Sequence, residues 1–186
     1  MLRLISAFSI SIGLIIGLPS FLLGSSVTEL QLESQPGDPI GLGLNYDFTP
    51  SDGSFILETP APYVISFLFL GNEPGVFSDV EFAAPNNAPL IGGTTYTDAE
   101  RYPFQASDQP GLNVDLDGRG LNTLAGSFTV LEAVYNSSGI IENLGITFVQ
   151  TQTPTPAPPE NGSLTGHFII ILTRLWLPLQ SQLRQI

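Results

Sequence analysis

The sequence predicts an all-β protein: a single antiparallel β-sandwich of jelly-roll type between an N-terminal signal segment and an irregular C-terminal tail. Its composition favours short strands and tight turns, because 186 residues include 19 Gly, 16 Pro and 12 Phe, and only 12% are charged. Short apolar runs alternate with turns that contain Pro or Gly. Residues 111–150 also favour an all-β fold, because apolar and polar residues alternate there with the period of two that is typical of strands.

Residues 1–26 predict a secretory signal peptide. Arg3 supplies a basic start, residues 4–23 form an apolar run, and small residues follow at 24–26. An uncleaved run of about 20 residues is long enough to cross a bilayer, so a retained anchor is the alternative. We expect an exported protein at the cell surface, in the periplasm or outside the cell, with no stable membrane span after cleavage.

The remaining chain divides into three parts. Residues 27–39 are polar and turn-rich, and they predict a lead-in with no packed element. The sandwich domain is expected over residues 40–171, and residues 172–186 form the tail. Within the domain we expect strands at 40–48, 54–58, 63–70, 76–83 and 164–171, with one or two short strands between 94 and 105, interrupted at Pro103.

The central pattern at residues 111–150 predicts a β-hairpin. Phe128 and Val130 alternate with polar neighbours in its first strand, and Ile146 and Phe148 do so in its second. The segment Asn136-Ser137-Ser138-Gly139 between them is a turn signal. The proline-bearing residues 151–163 then predict an extended surface loop.

Charge and cysteine content exclude several function classes. The chain carries a net charge of −12, with 17 acidic and five basic residues, so its surface repels the phosphate backbone of nucleic acids. Since there is no cysteine, thiol catalysis and thiolate metal sites are excluded.

The segment from residue 113 to 118 matches the first half of a calcium loop. Asn113, Asp115 and Asp117 place side-chain oxygens at positions one, three and five, and Gly118 allows the bend at six. The glutamate required at position twelve is replaced by Leu124. A plain turn at residues 117–118 explains the same residues and is the preferred interpretation, with calcium, the one cofactor that the sequence suggests, as the alternative.

Glu132 is a candidate for a structural ion pair. It is in phase with Phe128 and Val130, which would place a carboxylate on an apolar face of the sheet. A buried carboxylate needs a partner, and Arg101 or Arg119 can provide one. An acid/base pair of a glycosidase is the alternative use of such carboxylates.

Several segments carry a family resemblance. The main ones are, in chain order, Phe82-Ala83-Ala84-Pro85, Arg101-Tyr102-Pro103-Phe104-Gln105, Pro110-Gly111-Leu112, Asp117-Gly118-Arg119-Gly120, Leu124-Ala125-Gly126-Ser127-Phe128-Thr129-Val130-Leu131-Glu132 and Phe148-Val149-Gln150. Together they resemble an uncharacterised family of exported bacterial proteins that is common in cyanobacteria. The resemblance implies export but no activity, and some members end in a Pro-Glu-Pro sorting tail.

Two departures from that family are informative. Many relatives have cysteines where this chain has Leu121 and Gln152, and the joint loss implies that the two positions form a disulfide in the relatives. The resemblance therefore implies that the start of the first hairpin strand lies beside the end of the second. The C-terminal segment also differs from the family pattern.

The function expected from these observations is non-enzymatic. We expect a cell-surface or extracellular structural or binding module, with an extracellular polysaccharide as its partner class, by analogy with other sandwiches. No residue is nominated as catalytic. The alternative is a glycan-acting hydrolase on the same scaffold.

Overall fold

The structure is a computed structural model that describes residues 28–59, 63–153 and 163–171, the last range by its backbone. The predicted signal peptide, the predicted tail and most of the predicted proline-rich loop lie outside the described residues.

The described chain forms strands and one short 3-10 turn at Pro85–Asn87. The strands are β1 (Glu29–Ser34), β2 (Asn45–Phe48), β3 (Gly53–Glu58), β4 (Val64–Gly71), β5 (Phe77–Ala83), β6 (Thr94–Arg101), β7 (Gly111–Leu116), β8 (Leu124–Tyr135), β9 (Ile141–Gln152) and β10 (Ser163–Ile171). They form one curled sheet in the order β2-β1-β10-β9-β8-β6-β7-β5-β4-β3. The all-β prediction is confirmed, while the two-layer sandwich stays a prediction.

Strand β6 joins the two halves of this sheet. Its first residues pair antiparallel with β8, from Thr94 opposite Val130 to Ala99 opposite Gly126. Its last two residues pair with β7, and this pairing is parallel, unlike the other strand pairs described. The expectation of a fully antiparallel sheet is therefore wrong at this one position, because β6 passes from one neighbour to another along its length.

The core lies on the concave side of the sheet and is built around phenylalanines. Phe82 of β5 is fully buried, and its ring centroid lies 5.1 Å from that of Phe128 on β8 and 5.6 Å from that of Phe148 on β9. Aromatic rings at such separations attract each other in addition to the gain from burial. The contact ties β5 to the β8–β9 hairpin, which confirms the predicted hairpin over residues 124–152. Residues 111–116 of that prediction instead form the separate strand β7, which pairs with β5 and β6.

The expected lead-in at residues 27–39 is wrong, because it contains strand β1. Leu30 and Leu32 are 1% and 0% exposed, and β1 pairs with β2 on one side and β10 on the other. The other residues of β1 are mostly polar, and it contributes only two leucines to the core. The sequence pattern therefore did not indicate a strand. The strand expected at 40–48 is shorter than predicted, since β2 begins at Asn45.

The loop between β1 and β2 is organised around Asp38, which is 3% exposed. Its carboxylate accepts hydrogen bonds from Ser34 Oγ at 2.7 Å, Gly41 N at 2.7 Å and Ile40 N at 3.3 Å. Arg119 Nε adds a hydrogen bond to the carbonyl oxygen of Ile40 at 2.7 Å. A buried carboxylate thus has backbone and hydroxyl donors as partners, which is what its burial requires.

Candidate functional site

Two regions of the described chain bring polar side chains together. One is the convex face of β5 and β7, which includes the predicted metal residues. Asn113 and Asp115 alternate with buried residues of β7, and strand register places them opposite Glu81 and Asp79 of β5. Asn113 Nδ2 donates to Glu81 Oε2 at 3.1 Å.

The three predicted calcium ligands all make hydrogen bonds within the protein. Asp115 Oδ1 accepts from the backbone N–H of Gly118 at 2.9 Å, as an Asp in a turn commonly does. Asp117 accepts from Phe77 N at 3.0 Å and lies 3.3 Å from Arg119 Nη2. Within the described residues no group of three or more His, Cys, Asp or Glu is placed to hold a metal ion. The geometry fits the turn interpretation, and calcium binding stays a prediction.

The predicted buried ion pair of Glu132 is wrong. Glu132 is exposed, and the salt bridge of Arg119 is formed with Asp117. The physical reason is a shift of register in β8 between Val130 and Glu132, typical of a β-bulge, which inserts one residue and changes the alternation. After the shift, Ala133 and not Glu132 packs against the core.

Arg101 has different partners from those expected. Its Nη1 lies 3.4 Å from Asn122 Oδ1, and its guanidinium carbon lies 5.0 Å above the ring of Phe104. Such a cation–π contact is worth about 0.5–1 kcal/mol at exposed sites. The contact therefore stabilises the loop after β6, and Arg101 forms no pair with Glu132.

Carboxylates on the convex face influence one another's protonation. We call Glu58, Asp79, Glu81 and Asp115 the acidic face. Burial raises the pKa of Asp79, and the charges of Glu58 and Asp115 raise it further, against a hydrogen bond from Ser66 Oγ at 2.8 Å that lowers it. Burial also raises the pKa of Glu81, as does the charge of Asp79. These two side chains therefore retain protons to a higher pH than ordinary carboxyl groups.

This face predicts a pH dependence of stability. Raised folded-state pKa values favour protonation in the folded protein, so the stabilisation is present at low pH and is lost as the pH rises through the folded pKa values. We expect the melting temperature to rise as the pH falls toward the ordinary pKa values of these groups, 3.8 for Asp79 and 4.5 for Glu81. Calorimetry of the double variant Asp79→Asn/Glu81→Gln at several pH values should show a melting temperature that depends less on pH. Glu132→Gln is the control, because it removes a charge at an exposed position. If it reduced the pH dependence of the melting temperature equally, the dependence could not be assigned to Asp79 and Glu81.

The second region is a cleft of about 270 Å³ at the ends of β2 and β4, bordered by the turns before β3 and after β4. Its floor is closed by two buried rings, Phe48 and Phe69, which are 8% and 1% exposed and have ring centroids 4.4 Å apart. Its polar rim comes from two turns, before β3 and after β4. The residues that line it are Phe48, Ser51, Asp52, Phe69, Gly71, Asn72, Glu73 and Val76.

Hydrogen bonds fix the rim in place. Asp52 Oδ2 accepts from Thr49 N at 2.9 Å and Thr49 Oγ1 at 2.6 Å, and these bonds lower the pKa of Asp52. Asn72 Nδ2 donates to the carbonyl oxygen of Ser51 at 2.9 Å. Within the described residues, Asp52 Oδ1 and Asn72 Oδ1 accept no hydrogen bond. The rim therefore presents oxygen acceptors to a ligand, with Glu73 adding a carboxylate beside them.

Sequence reasoning missed this cleft, because its rim residues occur in segments that serve equally well as turns. A comparison with family models, curated proteins and solved structures finds no match to this chain. The resemblance to exported cyanobacterial proteins thus stays a prediction. None of the helices among the described residues has the length and apolar character needed to cross a membrane.

Proposed function

We propose that this protein is a non-enzymatic, exported binding module that holds an extracellular polysaccharide in the cleft at the ends of β2 and β4. The observation that carries the proposal is a small cleft with a rim of fixed oxygen acceptors. Sugar hydroxyl groups can donate hydrogen bonds to such a rim, and sugar C–H groups can contact the partly buried Val76 beside it. The cleft, at about 270 Å³, is smaller than drug-sized pockets of about 300–1,000 Å³, which favours one sugar unit of a chain over a large ligand.

Charge narrows the ligand class. Asp52 and Glu73 line the cleft, and the whole chain has a net charge of −12. Carboxylated and sulfated polysaccharides are repelled by such a surface, whereas neutral or amino-bearing polymers are not. The signal-like residues 1–26 support a location outside the cytoplasm at the level of sequence.

Affinity electrophoresis of the full chain in gels that contain neutral, amino-bearing or anionic polysaccharides tests the proposal. We expect retardation by a neutral or amino-bearing polymer, and we expect Glu73→Ala to lower the affinity about tenfold, because it removes a charged acceptor. Glu132→Ala is the matched control, an exposed carboxylate outside the cleft, and should bind as the wild type does. Retardation by none of the polymers, or equal affinity in Glu73→Ala, would contradict the proposal.

A hydrolase acting on the same class of polymer is the second candidate, and the acidic face favours it. Asp79, whose pKa burial raises, has Asp115 directly opposite on β7, and two neighbouring carboxyl groups are the arrangement that glycoside hydrolases use. Release of reducing ends that disappears in Asp79→Asn, with retardation in the gel unchanged, would support this candidate. Retardation without any release of reducing ends supports the binding module.

A further inference from the structure

The two edges of the sheet differ in how well they are protected. β2 is only four residues long and carries the exposed Asp47. β3 runs over the six residues Gly53–Glu58 without proline or register shift, and its one charged residue is Glu58 at its end. Natural edge strands are usually guarded by charge, proline, bulges or short length. The β3 edge lacks these devices over most of its length.

The strand register shows which backbone groups this edge leaves unpaired. Asn72 N donates to the carbonyl oxygen of Asp52 at 2.8 Å, so the backbone groups of Asp52 face β4. In a β-strand the backbone N–H and C=O groups of successive residues point alternately to one neighbouring strand and to the other. The N–H and C=O groups of Gly53, Phe55 and Leu57 therefore point away from β4, and they form no hydrogen bond within the described residues.

Apolar side chains extend beside the unpaired edge. Ile56 is 38% exposed and Leu70, on the neighbouring β4, is 43% exposed. Both lie on the convex face, since Phe55 and Leu57 pack against the core. An edge with free backbone groups and flanking apolar side chains is suited to strand addition.

We propose that the β3 edges of two copies of this chain pair antiparallel about a two-fold axis at Ile56. In this register Ile56 faces Ile56 of the second copy, Phe55 faces Leu57, and Ser54 faces Glu58. Phe55 and Leu57 then exchange backbone hydrogen bonds with their counterparts, and the hydroxyl of Ser54 can donate to the Glu58 carboxylate. A homodimer forms, and in it the β3 edge is no longer exposed.

Charge selects this register over its neighbour. Centring the axis on Phe55 would also pair outward-pointing backbone groups, but it would place Glu58 opposite Asp52 of the second copy. Two carboxylates directly opposite each other destabilise a strand pair. With the axis at Ile56, the two Glu58 side chains lie four residues apart along the strands, at about 13 Å. No residue of β3 lines the cleft, so the proposed dimer uses other residues than the proposed polysaccharide site.

Cysteine cross-linking tests the register, because the chain has no cysteine of its own. In the full-length chain, Ile56→Cys would place two thiols opposite each other, with Cβ atoms about 4.5–5.5 Å apart, and mild oxidation should give a covalent dimer in most molecules. Ser54→Cys is the matched control, since it faces Glu58 and lies about 13 Å from its own copy. Equal cross-linking of both variants would overturn the proposed register.

Sedimentation of the full-length chain tests the interface without cross-linking. We expect a concentration-dependent dimer that is lost in Ile56→Lys, with an unchanged melting temperature at dilution because Ile56 is partly exposed. A wild-type chain that stays monomeric at the highest attainable concentration would overturn the proposal. A ladder of higher oligomers would also overturn it, since it indicates head-to-tail pairing and not a closed two-fold contact.

Discussion

Phe82→Ala is expected to lower the free energy of unfolding by about 3–5 kcal/mol, which is the usual cost of emptying a fully buried aromatic site. Phe82 is 0% exposed and contacts the rings of Phe128 and Phe148. Its loss would open a cavity between β5 and the β8–β9 hairpin, where the concave core is held together. Urea unfolding followed by circular dichroism would measure the change.

Phe104→Ala is the matched control for this prediction. The same side chain is removed, but Phe104 is 73% exposed and its described aromatic contact is the cation–π contact with Arg101. We expect a loss of about 1 kcal/mol or less there. Similar losses in both variants would show that Phe82 is not central to the core.

Asp38→Ala is expected to cost about 3 kcal/mol. The substitution leaves the donors on Ser34, Ile40 and Gly41 without their buried acceptor, and each hydrogen bond to a charged group is worth about 1.5–3 kcal/mol, although such terms are not additive. The same loop contains Leu42 at a φ of 57°, a left-handed conformation that a leucine side chain disfavours.

Thermal melts and limited proteolysis of the loop at 38–44 would measure the effect of Asp38→Ala. The loop should become sensitive to proteases, because its conformation depends on the carboxylate. Asp47→Ala, at an exposed position of β2, provides the control and should behave like the wild type. Equal melting temperatures for the two variants would count against a structural role for Asp38.

Local pattern was sufficient to predict the central hairpin. The period of two in β8 and β9 and the turn at residues 136–139 are properties of adjacent residues, and the structure pairs Phe128 with Phe148 and Val130 with Ile146. The family resemblance implied that the start of the first strand lies beside the end of the second. The pairing of Leu124 with Gln152 confirms that geometry.

Features that depend on distant partners could not be predicted in this way. β1 enters the sheet by pairing with β10, at the other end of the domain, and its own sequence contributes only Leu30 and Leu32 to the core. The bulge in β8 left no turn signal, so Glu132 was placed on the wrong face. The burial of Gln150 could not be predicted from local sequence either. Its side chain lies in the core, and both of its amide atoms are unpaired among the described residues.

The candidate site was hidden for the same reason. Phe48 and Phe69 come from strands near opposite edges of the sheet, and only its curvature stacks them into a floor. Asp79 and Asp115 become neighbours through the register of β5 with β7. The residues of each pair are far apart in the sequence, so no sequence motif predicts that they become neighbours.

The pairing of β1 with β10 has a consequence for the time course of folding. Glu29 pairs with Ile169, so the first strand cannot find its inner neighbour until the ribosome has released almost the whole domain. Closing so long a loop early is entropically costly, and sheets rich in distant contacts fold in about milliseconds to seconds. During synthesis β1 and β2 can therefore pair with each other but lack their third strand, β10, until the end of the domain has been made.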